Sequence, residues 1–299
     1  MKKFVIPAFV LLFIAGCSAL NRVNPTDPKS GNYEGLHYTG SVGNFTSLSD
    51  IKAQAPDIIW CTDSVANMVY KYHENGNLDF TLFNRTAPYP TPTPIPEFQA
   101  PSGICAVAPY FYVVDKNITY NNLKRFDPTY VTSTTVTQPP LYASIALNKC
   151  AAFGQYIYLT DSKNVYQFDT TPTANAMTGV TWAVSASATI SDIKTDQTGD
   201  VVIADSSTND IMVYTQSGAF VSAFQYSFNI IGFAISGNYI YIPSNGGLHK
   251  INYPSLTEAQ LMANYGQGSG KVDQPGPCDA LPDGTILVGT ANTIKMFQP

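Results

Sequence analysis

Residues 192–224 read DIKTDQTGDVVIADSSTNDIMVYTQSGAFVSAF. Apolar and polar residues alternate in short runs, and each run ends in a polar turn such as Gln197-Thr198-Gly199-Asp200. Alternation with period two is the mark of a strand with one face turned to a core. The segments from Asp192, Val201, Asp210 and Ala219 therefore form a four-stranded antiparallel meander.

The same phrase recurs through the chain as IIWCTDS (58–64), FYVVDKN (111–117), IYLTDSK (157–163), VVIADSS (201–207), IYIPSNG (240–246) and ILVGTAN (286–292). Each has a small polar anchor: Asp63, Asp115, Asp161, Asp205, Ser244 and Thr290. The anchors are spaced by about 45 residues, the period of a propeller blade. Each is followed by a second alternating strand, as in Asn67 to Tyr72 or Asn164 to Phe168.

Residues 97–104, EFQAPSGI, and 266–277, GQGSGKVDQPGP, resemble the connectors of NHL repeats, and the fourth unit is similar to a complete repeat of that family. Trp60-Cys61-Thr62-Asp63 and Tyr158-Leu159-Thr160-Asp161 resemble the signature of YWTD propellers equally well. Both resemblances imply an all-β fold, a six-bladed β-propeller of four-stranded antiparallel blades. The last unit stops at Phe297 after its third strand, so closure needs a strand from the N-terminal side, within Leu36 to Leu48. Without one, an exposed edge would remain.

The first 17 residues, MKKFVIPAFVLLFIAGC, place Lys2 and Lys3 before an apolar run of about 12 residues, too short to span a bilayer and typical of a signal peptide. Ile14-Ala15-Gly16-Cys17 resembles the lipobox of bacterial lipoproteins. The resemblance implies removal of residues 1–16 and lipidation of Cys17, with Ser18 directing the product to the outer membrane of the cell envelope. Residues 17–34 read as a flexible tether and 35–299 as a single propeller domain. Residues 88–101, PYPTPTPIPEFQAP, read as an extended inter-blade insertion.

The chain has 299 residues and a net charge of −5, with charged residues at 12% and aromatics at 12%. Disorder is excluded because hydrophobicity is too high, and nucleic acid because there is no basic excess to displace counterions.

The repeated aspartates invite a metal reading, but a cause that repeats with the blade is structural: an Asp there can accept N–H bonds across its turn. No metal or other cofactor is expected. His37, His73 and His249 stand in no metal-ligand spacing, and there is no Gly-x-Ser-x-Gly elbow. Gly266 to Lys271 fails the phosphate-loop spacing. Cys61, Cys105, Cys150 and Cys278 remain after Cys17. Cys105 and Cys150 fall at matching places on neighbouring innermost strands and form the candidate disulfide, although such strands are expected to diverge beyond the ~7 Å reach of a bridge. Sequons at Asn44, Asn84 and Asn117 carry no weight in a bacterial envelope.

The resulting expectation is a monomeric, membrane-anchored propeller that binds or scaffolds an envelope protein, peptide or glycan and is not an enzyme. The alternative is a metal-dependent lactonase- or lyase-like enzyme with its site in the central channel.

Overall fold

The computed structural model describes residues 36–82, 98–116, 123–126, 133–135, 145–171, 176–264, 266 and 270–298. The signal peptide, Cys17, the tether and most of the proline-rich insertion lie outside the described residues.

The first strand is β1 (His37–Val42). The first blade is β2 (Leu48–Gln54), β3 (Ile58–Asp63), β4 (Met68–His73) and β5 (Leu78–Leu82). The second is β6 (Pro101–Val107), β7 (Tyr110–Asp115), β8 (Leu123–Phe126) and β9 (Ser133–Thr135). The third is β10 (Lys149–Phe153), β11 (Tyr156–Thr160), β12 (Asn164–Asp169) and β13 (Ala176–Ala183). The fourth is β14 (Ile190–Thr195), β15 (Val201–Asp205), β16 (Asp210–Tyr214) and β17 (Phe220–Gln225). The fifth is β18 (Ala234–Ser236), β19 (Tyr239–Ser244), β20 (Gly247–Asn252) and β21 (Thr257–Ala263). The sixth is β22 (Cys278–Ala280), β23 (Ile286–Gly289) and β24 (Ile294–Gln298), completed by β1.

Each blade is an antiparallel meander in sequence order, and the six form a propeller as the repeat implied. The closing strand also lies where the sequence required it, with His37 opposite Gln298 and Val42 opposite Ile294. Burial grades outward within a blade. Every residue of β15 is buried, because both its faces meet a neighbouring blade, whereas β17 leaves Phe220 and Val221 exposed. Each apolar cluster joins two adjacent blades. Trp60 and Val69 of the first pack on Phe111 and Val113 of the second, and Val42 and Leu287 of the last pack on Ile51 and Ile59 of the first. Burial of this kind is the main stabilising term.

The innermost strands are joined by devices of three kinds. In the first blade Ser49 bulges out of register; its Oγ donates to Pro101 O (2.6 Å), and Asp50 Oδ2 accepts from Ile104 N (2.8 Å). In the fourth, Ser191 Oγ donates to Ile230 O (2.9 Å) and Asp192 Oδ2 accepts from Phe233 N (3.1 Å). Gly103 and Gly232 work by close approach instead. A Cβ on Gly103 would lie 2.9 Å from Lys149 Cα, and one on Gly232 2.8 Å from Pro277 Cα. Finally, Asn148 Nδ2 donates to Ile190 O (3.2 Å) between the third and fourth blades.

Candidate functional site at the mouth of the channel

The innermost strands β2, β6, β10, β14, β18 and β22 surround the axis. At the end where they begin, a hollow of about 470 Å³ opens, lined by Ser49, Ser102, Lys116, Asn148, Lys149 and Ser191 among others. Lys149 is 8% exposed; its Nζ donates to Ser49 O and lies 3.5 Å from Asp50 Oδ1 beneath the floor. Lys116 stands at the rim next to β7, and its ammonium has no hydrogen-bond or ion-pair partner among the described residues. Partial desolvation, then the charge of Lys149, lowers its pKa. The Ser102 hydroxyl, buried at the wall, has no partner among the described residues. No Asp or Glu is among the described lining residues, so the hollow presents positive charge and hydroxyls beside the apolar Leu48 and Ile231.

Further along the same strands a second cavity of about 120 Å³ holds Lys52, Lys194, Thr195 and Asp279. Lys194 pairs with Asp192 at 3.6 Å and Lys52 with Asp279 at 3.4 Å. Burial would lower the Lys194 pKa, but Asp192, Asp279 and Asp50 together raise it.

Sequence reasoning missed this network, although a signal existed. Ser-Asp-Ile-Lys stands twice, at 49–52 and 191–194, and each time the Asp precedes its blade's anchor Asp by 13 residues.

The anchors sit at the same end of each blade, on or just after its second strand. Asp63 accepts from the N–H groups of Thr46 (2.6 Å), Ser47 (3.1 Å) and Ala66 (2.9 Å), and Asp115 from those of Gln99 (2.9 Å) and Ala100 (2.8 Å). Asp205 accepts from Thr189 N (2.9 Å) and Ser207 N (2.9 Å). Asp161 turns to its own loop, accepting from Lys163 N (2.6 Å), Asn164 N (2.7 Å) and the Tyr166 hydroxyl (2.7 Å). Ser244 accepts from Gly246 N (3.1 Å), and Thr290 donates to Thr293 O (3.0 Å). Among these, Thr290 lines the hollow.

Among the described residues no group of three or more His, Cys, Asp or Glu side chains is placed to hold a metal ion. His73 pairs with Asp57 at 2.9 Å. His249 lies beneath Tyr226 and Phe228 rather than in solvent, and burial lowers its pKa.

The cysteine alignment needs a correction. Cys105 stands opposite Tyr112, three residues before its anchor, whereas Cys150 stands opposite Leu159, two before its own. Cys150 therefore matches Cys278, which faces Val288, and Cys105 is one place out. Side chains alternate in direction along a strand. Matching residues would point the same way around the ring, but the offset turns Cys105 and Cys150 toward each other. Both are buried free thiols in one cluster between the second and third blades, close enough for the Cys105 thiol to raise the Cys150 pKa. The expected divergence of the innermost strands is absent here, since β6 and β10 touch at Gly103.

No family model and no curated protein matches the chain. Solved structures do. Streptogramin B lyase is similar over 90% of this chain and 99% of its own, at 10% identity and a TM-score of 0.59. A catalytically inactive histidine variant of virginiamycin B lyase from Staphylococcus aureus, solved with quinupristin, is similar over 85% and 81% at 13% identity, with a TM-score of 0.56. PorZ, an essential bacterial surface component of the type-IX secretion system of Porphyromonas gingivalis, is similar over 86% of this chain but 37% of its own, at 10% identity and a TM-score of 0.51. At such identities the likeness is one of fold. It nonetheless corrects the expectation that the chain is not an enzyme, because the architecture it shares is one on which lyases are built.

Proposed function

We propose that the protein is a lyase-type propeller enzyme that takes a small molecule into the hollow at the mouth of its channel. The observation that carries this reading is the hollow itself, about 470 Å³, lined by Lys149 and by a Lys116 whose ammonium has no partner among the described residues. Its volume is that of ordinary small-molecule sites. A lyase needs a group to take a proton from carbon and a fixed positive charge where the electron pair develops. Lys149, held by Asp50 and Ser49, and Lys116 at the rim both suit the second role. The metal of the original alternative finds no ligand cluster among the described residues, so no step is assigned to one.

The lipobox supports an envelope lipoprotein held at the outer membrane through Cys17, and the NHL-like connectors support kinship with that repeat family. The surface role of PorZ accords with that location. One observation favours a second reading, a disc that also holds a protein, peptide or glycan: Phe220 and Val221 stand exposed side by side on β17 at 61% and 52%.

Purified protein incubated with lactones, esters and uronosides, followed by mass spectrometry, should yield an elimination product with a new C=C bond. Lys116→Met should abolish it and Phe220→Ser should not. Full turnover by Lys116→Met would overturn the assignment.

A further inference from the structure

The chemistry of the hollow says what kind of molecule it receives. The described lining includes two lysines and no carboxylate. Asp50 lies below and offsets Lys149 at 3.5 Å, leaving the charge of Lys116 without an ion-pair partner among the described residues. Lys149 lies near enough to lower the Lys116 pKa, so the two ammonium groups repel each other. An ammonium has three donors; Lys149 spends one on Ser49 O and turns toward Asp50, while Lys116 has all three unspent among the described residues. The wall adds the hydroxyl of Ser102, unpartnered among the described residues, an arrangement native proteins seldom leave unexplained. An oxyanion between the lysines would answer both the repulsion and the unspent donors through charge-assisted hydrogen bonds. The remaining lining, hydroxyl and amide side chains mixed with apolar residues such as Leu48 and Ile231, and the volume of about 470 Å³ leave room for a polar body of sugar size behind the anionic group.

We infer that the hollow binds small molecules bearing an oxyanion, a carboxylate in the first instance, gripped between Lys116 and Lys149. This rests on the hollow being the functional site, but not on its catalysing a reaction.

Calorimetric titration of the full chain with glucuronate, at constant ionic strength and with glucose as the neutral control, tests it. Sulfate and inorganic phosphate, run in parallel, separate carboxylate recognition from a general oxyanion site. Glucuronate should bind saturably and glucose should not. Lys116→Met should weaken binding about tenfold or more, the loss of one charged hydrogen bond, with an unchanged melting temperature. Because Lys149→Met would strand Asp50 without its cation, Lys116→Glu serves as the second variant and should abolish binding. Glucuronate binding no tighter than glucose, or equal binding by wild type and both Lys116 variants, would overturn the inference. Binding without turnover of any carboxylate would overturn the lyase reading alone, and turnover confined to neutral substrates would overturn the oxyanion alone.

Discussion

Asp279, on the innermost strand of the last blade, accepts a hydrogen bond at 2.8 Å from the backbone N–H of Ala53 in the first. One carboxylate thus joins the two ends of the ring at the channel, while β1 joins them at the rim. Burial acts to raise the Asp279 pKa, but Lys52, Lys194 and the N–H groups of Ala53 and Ala280 overcome it and hold the group below the ordinary carboxylate value.

Asp279→Ala leaves the Ala53 N–H buried without an acceptor and should cost about 2–3 kcal/mol in urea unfolding. The contribution of Asp279 is present above the ordinary carboxylate pKa and is lost as pH falls through the lowered one. The difference between wild type and variant should therefore shrink in strong acid; a constant difference would contradict the account.

Asp192 behaves in the opposite sense. Burial is the largest cause, the charge of Asp50 adds to it, and although Lys194 and Lys149 oppose them the pKa is pushed up to about 6. Between the ordinary value of about 3.9 and 6, the folded protein keeps a proton that the unfolded chain has lost. Stability should fall as pH rises through that window, by about 3 kcal/mol. Asp192→Asn should lack this component, so the wild-type and variant stabilities plotted against pH should converge or cross; parallel curves would refute it.

Gly103→Ala puts a methyl group 2.9 Å from Lys149 Cα, where only backbone could yield. A loss of about 1–3 kcal/mol is expected from overpacking. Gly76, which has open space around it, provides the contrast; its own positive φ of 86° should make Gly76→Ala costly for a backbone reason alone, leaving packing at the third blade untouched.

Cys105 and Cys150 are the pair to watch in an oxidising environment. Burial, then the Cys105 thiol and further charges, keeps the Cys150 pKa well above the ordinary thiol value, so exchange in the folded state should be slow. A bridge formed during folding should link these two and no others. Peptide masses with and without reduction check this, and a bridge involving Cys61 or Cys278 would contradict the geometry.

The ring itself was legible because its cause repeats. Val201 to Asp205 and its five counterparts lie between blades and must be apolar on both faces, and each blade writes that need into the chain again. The closing strand was legible from a deficit, the missing fourth partner of Phe297. The hollow was not legible in the same way. Lys116 is a lone exposed lysine after β7, and nothing near it in sequence announces Lys149, which lies on another blade. Register also escaped the reading: Cys105 and Cys150 read as matching places on neighbouring strands, but a strand pleat makes one residue of error a reversal of direction.

The pairing of His37 with Gln298 places the two ends of the described chain side by side in one sheet. Those ends could be joined by a short linker and the ring opened at another inter-blade connection, leaving every blade with four strands. The order in which blades are synthesised is thus separable from the shape they make, and the place of the chain ends can be moved around the disc without altering the face that carries Lys116 and Lys149.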